Sequence, residues 1–232
     1  MPSKKTLFCF TLLLALCTFS LWAGDTAVFV DLGFSPDGKF FMFAQYGVQA
    51  GTLKPWAELF VVDVAHNNFV QGGKVSFVHD SPVIAGQNGS GALYRIIAKN
   101  AALADQYRVN YLNPGQPLYI ATNGDPSPSG ENIEFRDFIS GNSYKANMVP
   151  YTEGAGQNLK SSFFINLECN TAGGKRTSVV GNPQIKRPLV EEYRINKVII
   201  APADGSLIFV IEMKKQAANG YDVRYMVETV KL

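Results

Sequence analysis

Short apolar runs closed off by turn residues recur through most of this chain, and no other feature restricts its fold as tightly. They are "VFVDLGF", "KFFMFAQY", "ELFVVDV", "KVSFVH", "PLYIAT", "IEFRDF", "SSFFINLE", "RINKVIIAP", "SLIFVIEM" and "VRYMVETV". Each is rich in Val, Ile, Phe or Tyr and bounded by Gly, Pro, Asn or Asp, which is the pattern of a strand. "FFMFA", "LFVVDV" and "LIFVIEM" are apolar on both faces and need cover from two sides, whereas "SSFFINLEC" alternates like a strand with one wet face. A stack of sheets meets both demands.

The expected fold is therefore mainly β, an antiparallel sandwich or barrel-like stack of about ten to twelve strands. One stretch breaks the pattern. "SGALYRIIAKNAALADQYR" sets Leu93, Ile97, Ala101 and Ala104 at helical spacing, with Ser90 available as a cap, and predicts one helix near residues 91–107 that covers a sheet. "NGDPSPSGEN" (123–132) and "YTEGAGQN" (151–158) read as turns and exposed loop.

The N-terminus has a basic start at Lys4 and Lys5, an apolar stretch from Leu7 to Trp22, and the small pair Ala23-Gly24 before Asp25. That order predicts a secretory signal peptide over residues 1–24, removed near Ala23 or Gly24, with 25–232 left as a single β-rich domain in a secreted or periplasmic protein. The apolar stretch is shorter than the roughly 20 residues a membrane-crossing helix needs, and no later segment reaches that length. The alternative is a lipoprotein anchored at Cys17 in "LLALC"; against it, Leu16 is bulky where lipoprotein processing needs a small residue.

Losing the leader takes Lys4 and Lys5 from the 21 Lys and Arg, which leaves 19 against 19 Asp and Glu. A neutral chain lacks the clustered cations that nucleic acid requires. "GGKR" and "IKRP" are too sparse for a basic stripe and read as solvated turns. Cys9 and Cys17 go with the leader as well. Cys169 is then alone, so no intrachain disulfide forms, and its place in "FFINLEC" makes it a buried structural thiol.

The tetrapeptide Ser35-Pro36-Asp37-Gly38 is turn chemistry: Pro36 presets φ, Asp37 bonds local backbone, and Gly38 accepts positive φ. Pro202, Asp204 and Gly205 repeat the arrangement in "NKVIIAPADGSLIFVIEM", and each unit is followed by a further strand. "FSPDGKFFMF...AELFVVDV" resembles the repeat of TolB-type β-propellers over residues 28–64, and that resemblance implies the alternative fold, a degenerate small propeller. Over its full length the chain resembles a family of predicted secreted bacterial proteins of unknown function. The features that carry this are "GDTAVFVDLGFSPDGKFFMFAQYGVQAG", a helix in the second quarter, and "EYRINKVIIAP" before a last hairpin ending in "RYMVETVKL". The resemblance implies secretion and assigns no activity.

His66 and His79 have no partner ligands in sequence and read as loop or strand-end residues. "HDS" at 79–81 lacks a nucleophile elbow and reads as a strand ending in a turn. Asn123, Asp125, Ser127, Ser129 and Glu134 keep an EF-hand count, yet Pro128 stands where the loop needs glycine. Glu191 and Glu192 point to opposite faces of a strand, and "GSG" at 89–91 lacks the rest of a phosphate loop. No catalytic residue, metal site or cofactor is assigned on this basis. Tyr46, Trp56 and Tyr119 are the candidate ligand-binding residues, Trp56 because it follows Pro55 in an expected loop. The function expected is a non-catalytic binding or interaction module of the cell envelope, its partner an envelope protein or a small ligand. The alternative is a secreted hydrolase using carboxylates from distant strands.

Overall fold

The computed structural model describes residues 24–122, 131–218 and 220–232. Residues 1–23 of the expected leader over 1–24, with the Cys17 of the lipoprotein alternative, lie outside the described residues, as do Asn123, Asp125, Ser127 and Ser129 of the EF-hand count. The described chain is mainly β, with thirteen strands in three antiparallel sheets and two helices.

The N-terminal sheet is a meander of β1 (Val28–Phe34), β2 (Phe40–Val48), β3 (Pro55–Asp63) and β4 (Asn68–Val78) in sequence order. Two helices follow, α1 (Ser90–Lys99) and α2 (Ala101–Gln106). β5 (Gln116–Ile120) joins the middle sheet. The outer sheet takes β6 (Asn132–Arg136), β7 (Ser143–Glu153), β8 (Lys160–Thr171), β9 (Gly174–Val180) and the two-residue β10 (Arg187–Pro188). The chain then completes the middle sheet with β11 (Val190–Ile200), β12 (Leu207–Ala217) and β13 (Gly220–Val230), in the order β13-β12-β11-β5.

Alternation along β11 and β12 explains why the middle sheet is buried on both sides. Ile199, Ile208 and Val210 face the N-terminal sheet, where they meet Phe34, Phe41, Phe43 and Phe60. Val198, Phe209 and Ile211 face the outer sheet, where they meet Phe163, Ile165 and Leu167. The other side of the N-terminal sheet carries Met42, Ala44, Leu59 and Val61 against Ala92, Leu93 and Ile96 of α1. Helices, N-terminal sheet, middle sheet and outer sheet thus form four layers. Burying each large apolar side chain contributes about 1.5–3 kcal/mol, so each of the three interfaces between layers adds substantially to stability. The outer sheet has one wet face, which accounts for the alternation of "SSFFINLEC". Cys169 is buried in that sheet's inner face.

The two related turns do what their residues dictate. Ser35 Oγ donates to Asp37 Oδ1 (2.7 Å) and accepts from Phe40 N (3.0 Å), while Gly38 takes φ +71°. At the second turn Asp204 Oδ1 accepts from Ser206 N (3.1 Å), and Gly205 takes φ +72°. The turns lie side by side: a β-carbon added to Gly38 would stand 3.2 Å from Ala203 Cβ. The sheets they close stack face to face, where a propeller would set blades around an axis.

Several expectations need correction. The single helix is two, because Asn100 stops the first: it takes φ −119° and its Nδ2 bonds back to the Ile96 carbonyl (2.8 Å). Short amides compete with the helical ladder in this way. The break leaves Ala101 exposed, whereas Leu93 and Ala104 are buried as the spacing required. Ser90 is not the cap; Gly89 is, and Asn88 Oδ1 receives both Ser90 N (2.9 Å) and Ser90 Oγ (2.6 Å). β7 escaped notice because Lys145, Asn147 and Pro150 interrupt its apolar run, although Tyr144, Ala146 and Met148 point into the core. "GGKR" enters β9, an exposed strand with only Val180 buried, and "IKRP" includes β10.

Candidate functional site

The middle sheet's edge strand, β13, runs along the floor of a cleft of about 640 Å³ lined by parts of all three sheets. Phe43, Phe60 and Phe69 of the N-terminal sheet form one wall, with ring centroids 4.6 Å apart for Phe43–Phe60 and 5.4 Å for Phe60–Phe69. They share a face because they lie in matching register: Phe43 opposes Phe60, and Phe69 opposes Val62. The other wall comes from the outer sheet, through Gly181, Asn182, Ile185 and Arg187.

The charges in the cleft fall into two groups. Arg187 and Glu228 form a pair at 3.1 Å with side chains only 16% and 7% exposed. The guanidinium rests 5.0 Å from the Phe163 ring centroid, and Asn67 Nδ2 donates to the other carboxylate oxygen (2.5 Å). Burial pushes the Glu228 carboxyl above its ordinary range, against the opposing pull of Asn67 and Arg187. Desolvation outweighs attraction when a charge sits this deep. Arg224 is likewise committed, to Asp25 Oδ2 (3.1 Å) and Asp222 Oδ2 (3.4 Å). Lys74 and Lys215 also line the cleft, and neither has an ion-pair partner among the described residues; Lys74 Nζ stands 5.8 Å from the Phe60 ring centroid. The acidic side chains lining the cleft are Glu58 and Glu228, and Asp25 and Asp222 reach Arg224 from its edge. Glu58 is held by Gln45 Nε2 (2.8 Å). With Arg187 and Arg224 held by carboxylates, Lys74 and Lys215 are the lining cations with no ion-pair partner among the described residues.

A second hollow, about 710 Å³, lies on the wet face of the outer sheet. Its charged lining residues are all paired, Lys145 with Glu134 (2.7 Å) and Glu168 with the neighbouring Lys175 (2.6 Å), and Asn147 bonds Asn132 (2.7 Å). It is the concavity of one twisted sheet with an internally paired surface, so the three-sheet cleft is the stronger site. Among the described residues, no group of three His, Cys, Asp or Glu side chains is placed to hold a metal ion.

Tyr46, Trp56 and Tyr119 do not converge. Tyr46 packs on the helix-covered side of the N-terminal sheet, and Tyr119 on the cluster between middle and outer sheets. Trp56 is in β3, not a loop, and is 6% exposed. The Arg224 guanidinium lies 4.3 Å from its ring centroid, so Trp56 supports a cleft residue from beneath. His66 lines the cleft from the β3–β4 turn and bonds Asp63 (2.9 Å), while His79 follows β4 and meets Ser81 in a turn. Sequence reasoning missed Arg187, Lys215, Arg224 and Glu228. A signal was present in "DVRYMVET", where three charged residues, Asp222, Arg224 and Glu228, interrupt an otherwise largely apolar strand.

No curated protein and no solved structure matches the chain. A family model matches residues 42–231, which takes in every residue lining the cleft, and no helix among the described residues is long and apolar enough to cross a membrane. By that match the chain belongs to the family described as "Predicted secreted protein (DUF2259)".

Proposed function

We propose that this protein is an exported binding module of the cell envelope, and that its ligand seat is the cleft above β13. The ligand is small, with an apolar or aromatic body and a negative charge. One observation carries the reading: an aromatic wall of three phenylalanines shares a cleft with Lys74 and Lys215, two cations with no ion-pair partner among the described residues, and its volume is typical of small-molecule sites. Processing near Ala23 or Gly24 delivers the chain, and residues 25–232 fold as one unit. The mass of the exported form distinguishes this from lipidation at Cys17.

The probe is anilinonaphthalene sulfonate, whose fluorescence rises in apolar surroundings. It should bind the exported chain with one-to-one stoichiometry. Phe69→Ala and Lys215→Ala should each weaken it about fivefold, the equivalent of about 1 kcal/mol for a partly exposed ring or charge contact. Equal affinity in both variants and the parent would rule the cleft out as the seat.

A second reading has its own observation, since Glu58 and Glu228 line the same cleft and burial favours the protonated form of Glu228. A carboxylate-dependent hydrolase uses such a pair as acid and base. Turnover of a chromogenic glycoside or ester, abolished by both Glu58→Gln and Glu228→Gln, would establish it in place of simple binding.

A further inference from the structure

We infer that the ligand of this cleft is a short free peptide, which lies extended along β13 and pairs with Val227. The inference rests on the cleft being the ligand seat and names what it takes. Along an antiparallel strand, alternate residues turn both N–H and C=O away from the neighbouring strand. In β13 these are the odd-numbered residues: Val223 N bonds the Asp25 carbonyl (2.7 Å), Tyr225 N bonds Gln45 Oε1 (2.8 Å), and Thr229 N bonds Asn67 Oδ1 (2.7 Å). The same alternation turns Val227 toward the cleft it lines. No described residue pairs with the Val227 N–H or C=O on that side, or with the Tyr225 C=O. Those groups form an acceptor, donor, acceptor row, which is what a strand offers to an added strand.

The slot is closed at both ends. Residues 25–27 occupy the edge at Val223, where Ala27 N bonds the Val223 carbonyl (3.1 Å), and Asn67 closes the edge at Thr229. From Tyr225, where Gln45 takes the N–H, to Thr229 lie roughly 13 Å of strand, enough for about three or four extended residues. A closed slot of that length suits a free oligopeptide, not a strand within a longer chain. One alternate side chain of the peptide would meet Phe43, Phe60 and Phe69, and Lys74 and Lys215 complement its terminal carboxylate.

The test uses N-acetyl-Val-Phe-Ala with the isotope-labelled exported chain. At saturation the Val227 amide resonance should move, and its hydrogen exchange should slow about tenfold. The C-terminal amide of the peptide should bind about fivefold more weakly, and Lys215→Ala should cost the free acid a similar factor. The analogue N-methylated at Phe should bind about tenfold more weakly, because it cannot donate to β13. A bound peptide that leaves the Val227 amide unmoved overturns strand addition. Absence of peptide binding in a chain that still takes up anilinonaphthalene sulfonate overturns the peptide assignment and leaves the ligand seat standing.

Discussion

Glu228 and Asp137 are both buried carboxyls, and their surroundings push them in opposite directions. Asp137 caps the β6–β7 turn, where Ser140 Oγ (2.5 Å) and the Ile139 N–H (2.9 Å) donate to it, and the Ser140 bond holds its carboxyl below the ordinary 3.8. A depressed carboxyl contributes stability that is present above the ordinary value and lost as pH falls through the lowered one. Glu228 is raised above the ordinary 4.5 by burial, so its contribution is full below 4.5 and is lost as pH rises through the raised value. Urea titrations from pH 3 to pH 7 should therefore show the parent losing its advantage over Glu228→Gln as pH rises, and gaining advantage over Asp137→Asn. A Glu228 advantage that grows with pH would mean that the ion pair with Arg187 dominates after all. Neither environment was legible in sequence. "RDFIS" and "VETV" show charged residues beside apolar ones, but Glu228 acquires Asn67 from 161 positions away.

β13 shows how an element can be legible while its surroundings are not. Its apolar alternation and the hairpin with β12 follow from residues close in sequence, and eleven pairs match in unbroken register. Its free edge is met at Val223, Tyr225 N and Thr229 N by residues 25–27, Gln45 and Asn67, all more than 150 positions earlier. Asn67 is the sharpest case, because it takes φ +51°, which Asn tolerates better than most residues, and so aims its amide at Thr229 and Glu228. Asn67→Gly keeps that backbone conformation and removes the amide. It should lower stability by about 1–3 kcal/mol, the cost of leaving the buried Thr229 N–H without an acceptor, read as a lower urea midpoint at constant slope. The strands hardest to read were those with weak apolar faces: polar residues interrupt the apolar run of β7, and β9 buries only Val180 and is a strand through its pairing with β8. α1 and α2 failed as one helix for a local reason, the Asn100 amide, that a spacing rule does not weigh.

At the scale of the molecule, the middle sheet belongs to both interfaces, so neither flanking sheet can lose it without exposing a core face. Phe209→Ala on one side should cost about 3–5 kcal/mol and Ile208→Ala on the other about 2–5 kcal/mol. Both should shift one cooperative transition. Trp56 fluorescence reports the N-terminal sheet and circular dichroism all three, and their unfolding curves should coincide in the parent and both variants; separated curves would show that residues 25–232 are more than one unit. The layered plan was visible in the sequence, because the need for cover on one face or two is written in the period of each strand's apolar residues. The turns at Asp37 and Asp204 were visible too, since Pro, Asp and Gly act on their immediate neighbours. What the tertiary structure alone decided is which edges meet. The cleft exists because parts of all three sheets meet at the β13 edge, and its charges were assembled from strands whose separation in sequence leaves no spacing to read.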